Sequence, residues 1–304
     1  MTSPRKNRID IHQHITDRII AAIEDGAGDF QMPWHRAGVA HTRPTNIESG
    51  KAYRGVNVLA LWVAAEMNNF ATGLWGTYRQ WQIKGAQVRK GEKASMVVFY
   101  KEIDVDEQNP ETGETESGTR LFARASCVFN ADQVDGYQLP EPEITDPAVA
   151  IAEAESFVAN TKAIVRHGGT RAFYSPSEDA IQVPPRDIFI GTETSSPTEA
   201  YYGVLFHELT HWTGHKRRCD RQFGKRFGDE AYAMEELVAE LGAAFLSADI
   251  GITPEPRLDH AAYIEHWLNV MKADKKAIFT AASQAAKATD FLANLQPVET
   301  EAAA

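Results

Sequence analysis

Two histidines four residues apart, His207 and His211, with Glu208 directly after the first, are the residues of this chain best suited to chemistry. On a helix, positions four apart share a face, so both imidazoles can reach one ion. Glu208 then stands beside that ion as a general base for an attacking water, an arrangement that hydrolyses carbonyl compounds. The neighbours Val204, Leu205, Leu209 and Trp212 are apolar. That suits a helix buried in a domain better than two histidines on a polar surface helix.

Two histidines are too few, because a catalytic zinc takes three protein ligands and keeps one open position. Glu236 is the leading third ligand, in the segment EELVAELGAAFL, with Glu235 and Glu240 beside it as alternatives. Glu236 and Glu240 share a helix face, so one can bind the metal while the other orients a histidine. His215 is the remaining candidate, yet on an unbroken helix it stands about 12 Å along the axis from His207. It qualifies only if Gly214 breaks the helix. HExxH on one helix and a ligand glutamate on a second resembles the gluzincin metallopeptidases; the metzincin third histidine is absent. Tyr232, one turn before Glu236, is placed to donate a hydrogen bond to an oxyanion, with a core tyrosine as the plainer reading. Imidazole and carboxylate ligands suit Zn2+, and another divalent ion such as Mn2+ is the alternative.

A second pattern lies in the first third of the chain, where aromatic residues interleave with cations: Trp34, Arg36, Tyr53, Arg54, Trp75, Tyr78, Arg79, Trp81, Lys84, Arg89, Lys90 and Lys93. Single-stranded nucleic acid stacks its bases on rings while Lys and Arg follow its backbone. Charge is divided in the same sense. Residues 1–101 hold 14 Lys and Arg against 8 Asp and Glu, a balance of +6 inside a chain of net charge −11. The basic part is where a polyanion can bind. Packing in a core is the competing reading for the rings.

These residues must be positioned by elements that the pattern also suggests. Ile11, Ile15, Ile19 and Ile23 mark an amphipathic helix. VNVLALWVAAEM (56–67) reads as an apolar helix, TYRQWQIKG (77–85) as a short one, and residues 95–105 and 121–130 as two strands joined through an exposed tip at 109–118. Residues 136–147 carry three prolines and read as a linker. A helix follows at 148–160, then a small sheet within 163–190. Ser196, Pro197 and Glu199 start the helix that carries the histidines. Further helices fill 234–246 and 259–294. The expected fold is therefore α+β in two domains: an α+β domain over 1–135, a linker, and a mostly helical domain with a small sheet over 148–304. Two cysteines, Cys127 and Cys219, make no disulfide framework, and the N-terminus lacks the apolar core of a signal peptide. A cytoplasmic location is expected, with no membrane span.

The segments PWHRAG, PTNIESGKAYRGVNVLAL and LWGTYRQWQIKGAQVRKGEKASMVVFYK resemble the N-terminal domain of ArdC-type antirestriction proteins, a domain shared with TraC-type plasmid primases. FHELTHWTGHKRRCDR and YAMEELVAELGAAFL resemble the metallopeptidase domain that follows it in that family. The resemblance covers roughly residues 1–294. It implies a domain that binds single-stranded DNA and a zincin-like domain whose protein substrate is unspecified; duplex DNA is expected to bind more weakly, because its paired bases are already stacked on one another. It also implies protection of incoming conjugative plasmid DNA from restriction. Two other readings stay open: a DNA-binding protein whose metal site is structural, and a cytosolic metalloprotease with no DNA role.

Overall fold

The isoleucines spaced by four do form one helix, α1 (Ile11–Gly26), and bury Ile15, Ile19 and Ile23. The structure, a computed structural model, describes residues 10–26, 42–108, 115–140, 146–192, 195–223, 230–252 and 261–297. Helix α2 (Val56–Met67) is apolar around nearly its whole circumference, and accordingly it is central. Its Asn57 side chain is bonded at both ends to one residue of the neighbouring strand. The amide donates to the Val98 carbonyl and the oxygen accepts from the Val98 N–H, each at 2.8 Å.

The long ribbon beside α2 is β4 (Ser95–Gln108) paired antiparallel with β5 (Thr115–Asn130). The short β1 (Thr45–Asn46) and β2 (Leu74–Gly76) extend it into a sheet of order β1-β2-β5-β4. A short helix α3 (Tyr78–Ile83), closed by a capping box between Thr77 and Gln80, leads to β3 (Gln87–Val88), which pairs with β6 (Val134–Asp135).

Asp146 caps α4 (Pro147–Thr161). A three-stranded sheet follows, made of β7 (Ile164–His167), β8 (Phe173–Ser175) and β9 (Ala180–Val183) in the order β7-β9-β8. The remainder is helical: α5 (Pro197–Thr213), α6 (Glu230–Ile250), α7 (Ala261–Ala273) and α8 (Ala277–Ala293). The class is the expected α+β, with a helical second half.

Burial does not respect the midpoint of the chain. Ile19, Trp62 and Val98 share a single apolar cluster with Leu237, Phe245, Trp267 and Ile278. A second cluster surrounds α5, from Ile181 and Val183 to Leu205, Phe206, Leu209 and Leu246. A third and smaller one holds Trp81 between Val88 and Val134.

Candidate metal centre and nucleic-acid surface

Helix α5 starts where Ser196, Pro197 and Glu199 indicate: Ser196 accepts from the Glu199 N–H, and the Glu199 carboxylate accepts from the Ser196 N–H. Apolar residues then wrap the helix, so His207, Glu208 and His211 arrive in the interior, 4%, 3% and 8% exposed. Helix α6 crosses close by. A Cβ built on Gly242 would lie 2.5 Å from the Thr210 methyl, so glycine is what permits this approach.

The approach brings Glu236 to the histidines. His207 Nε2 lies 3.2 Å from His211 Nε2, and the two Glu236 oxygens lie 3.5 Å from one imidazole nitrogen each. One donor atom from each of the three residues falls within 4.8 Å of the others. Two imidazole nitrogens and a carboxylate oxygen at such separations fit a divalent cation. Glu240 stands behind His207, Oε2 at 3.5 Å from Nδ1. His215 is not part of this group: α5 does stop at Gly214, as its candidacy required, but His215 Nδ1 accepts from the Arg217 N–H and only Glu236 joins the two histidines among the described residues.

The roles of two further residues were not legible in the sequence. Glu235, weighed there only as an alternative ligand, accepts from His211 Nδ1 at 3.1 Å. Arg221, which no spacing rule singles out, is buried and pairs with Glu235. It also donates to the Thr213 hydroxyl at 2.8 Å and the Thr210 carbonyl at 2.7 Å, tying the last turn of α5 to α6. Burial opposes charge on His211, but its bonds to Glu235 and Glu236 outweigh that and push its pKa up to about 10. Burial likewise raises Glu236, while His207 and His211 hold it well below the usual carboxylate range. The two glutamates thus make this a pocket for positive charge.

The centre opens into a cavity of about 460 Å³, walled by Phe173 and Tyr174 of the edge strand β8, by Phe223 and by Tyr232. Glu208 and Tyr232 both line it, so a molecule entering the cavity meets a carboxylate and a phenol hydroxyl together. Beyond the ligands, Arg218 lies 3.8 Å over the Trp212 ring and pairs with Asp179.

The expected stacking rings fare differently. Trp81 is fully buried, with its Nε1 donating to the Phe129 carbonyl at 3.0 Å; Trp75 and Tyr53 are 1% and 5% exposed. Rings enclosed in a core cannot stack on a base, so these three are corrected to structural residues. Trp34 and Arg36 lie outside the described residues. Tyr78 is exposed, as are the side chains of Arg54, Arg79, Lys84, Arg89, Lys90 and Lys93. The sequence reading missed Phe99, Tyr100 and Phe122, each about half exposed on the β4–β5 ribbon. Register pairs Phe99 with Arg124 and Lys101 with Phe122. Residues directly opposite share a face, so two rings on one diagonal and two cations on the other form one exposed surface.

A histidine pair and a glutamate on packed helices, with a second glutamate beside them, form a group that could hold a metal ion, the arrangement of a zincin-like centre. Residues 152–284 match the family model described as a zincin-like metallopeptidase, and residues 9–129 match the N-terminal domain of the anti-restriction factor ArdC. The crystal structure of the antirestriction ArdC protein from plasmid R388 superposes with a TM-score of 0.73 in its metal-free form, at 41% identity over 95% of this chain and all of that one. Its Mn(II)-bound form gives a TM-score of 0.74, at 38% identity over 96% of this chain and all of that one. An uncharacterized protein, y4eC, of Sinorhizobium fredii is 48% identical over 93% of this chain and 91% of its own length. A DNA primase, TraC, of Escherichia coli is 35% identical over 92% of this chain, which spans 27% of that protein. The chain belongs to the ArdC antirestriction family.

Proposed function

We propose that this chain is a cytoplasmic antirestriction factor that binds single-stranded DNA, shields incoming conjugative plasmid DNA from restriction, and carries a zinc-type hydrolytic centre. The observation that carries the DNA half is the ribbon surface of Phe99, Lys101, Phe122 and Arg124. Rings alternate there with cations, and a single strand can lay its bases on the rings while its phosphates meet the cations. Duplex DNA is bound more weakly, because its bases are already stacked on one another.

At the metal centre, His207, His211 and Glu236 would hold the ion. When bound, it supplies Lewis acidity and lowers the pKa of a water toward neutrality. Glu208 takes the proton from the attacking water and passes it to the leaving amine. Tyr232 donates to the oxygen that gains charge. Glu240 and Glu235 orient the two imidazoles. The open cavity beside Glu208 favours this over a structural role, since structural sites are closed by a fourth protein ligand.

The test uses the full chain. Phe99→Ala/Phe122→Ala should lose most single-strand affinity, and loss of plasmid protection in transfer to a restricting recipient should follow. Glu208→Ala in the same transfer assay separates hydrolysis from shielding. Full protection by the Phe99→Ala/Phe122→Ala variant would refute the ribbon as the DNA surface.

A further inference from the structure

A second cavity, of about 680 Å³, lies between the ribbon and α8, and it shares no lining residue with the metal centre. Arg54, Lys276 and Lys287 reach it, and none of its lining residues is an aspartate or glutamate. In a chain of net charge −11, three cations without a carboxylate on the same wall are a marked local excess. Arg54 is also held by Asp290 just outside the wall.

The floor is aromatic as well as cationic. Phe279 is part of it, and Tyr100, 46% exposed, faces it with its hydroxyl 2.9 Å from His12 Nε2. Volume, one accessible ring and several cations together match a nucleotide unit: a base against the ring, a phosphate against the lysines. Tyr100 directly follows Phe99 in β4, so the two rings point to opposite faces of the same ribbon. A strand lying on the open face can therefore turn over the ribbon edge and enter the cavity.

We propose that this cavity is a second subsite for single-stranded DNA, with Lys276 and Lys287 gripping its phosphates and Tyr100 receiving a base. The proposal rests on the single-strand reading above. It adds that the DNA surface is completed by α8, a helix of the second half of the chain. The N-terminal domain then supplies only part of the site.

Anisotropy of labelled oligo(dT) with the full chain tests it. Lys276→Ala/Lys287→Ala should weaken binding by about tenfold and reduce the dependence of log K on log salt by about 1.4, since each single-strand phosphate contact contributes roughly 0.7. Lys276→Arg/Lys287→Arg should bind as wild type. Arg166→Ala/Lys272→Ala removes the same charge elsewhere and should change affinity less than twofold. If the two alanine pairs behave alike while wild type binds, the cavity is overturned and the single-strand reading survives. If wild type binds no oligo(dT) at low salt, both fall. If dTMP alone binds as tightly as the oligonucleotide and depends on the same lysines, the cavity is a free-nucleotide site and the proposal is overturned.

Discussion

Arg221 and Glu235 form a two-point ion pair behind His211: Nε donates to Oε2 at 2.9 Å and Nη2 to Oε1 at 2.8 Å. The fork geometry fixes the carboxylate, and the carboxylate fixes the imidazole. Glu235→Gln should therefore lower metal affinity by about 10–100-fold, read by competition with a chelator. Affinity equal to wild type would mean that Glu235 serves packing alone.

Removing the other partner has a different consequence. Arg221→Ala leaves a buried carboxylate without its guanidinium and should cost about 3–5 kcal/mol of folding stability. Urea unfolding of the metal-free chain measures it. A loss below about 1 kcal/mol, as for a surface pair, would contradict the burial argument.

The core rings and the exposed rings should separate cleanly. Trp81→Ala should cost about 3–5 kcal/mol of stability, since it empties a filled site. Phe99→Ala should leave stability nearly unchanged and cost about 1–3 kcal/mol in single-strand binding. Thermal melts and anisotropy on the same two variants check this. A Trp81→Ala chain as stable as wild type would return that ring to the surface.

That contrast shows where the sequence was readable. The histidine helix, its Ser196 start and the Glu236 partner were legible because i,i+4 spacing and capping chemistry are local. Interleaved rings and cations record composition but not exposure. Trp81 and Tyr78 sit three residues apart on α3, yet one is buried and the other open. Strands as short as β1 and β3 are too brief for any alternation to show. Arg221 was hidden because the chain turns back after Gly214, with Asp220 at φ 49°, and no spacing rule foretells such a return.

Acid should loosen the contact between Arg218 and Asp179. The bond from Arg218 is the largest influence on Asp179, and it holds that carboxyl down to about 2 from an ordinary 3.8. The folded value is the lower one. The pair therefore contributes fully above about pH 4, and its contribution is lost as pH falls toward 2. Stability of Asp179→Asn should be lower than wild type at neutral pH and converge with it in acid. Parallel curves across that window would show that the pair carries no pH dependence.

Metal content of the purified full chain, by elemental mass spectrometry, tests the centre most directly. About one divalent ion per chain is expected, chiefly zinc, with the open coordination position of a catalytic site. His207→Ala, His211→Ala and Glu236→Ala should each lose it, whereas His215→Ala should retain it. Full occupancy in the first three variants, or loss in His215→Ala alone, would contradict a centre built by α5 and α6.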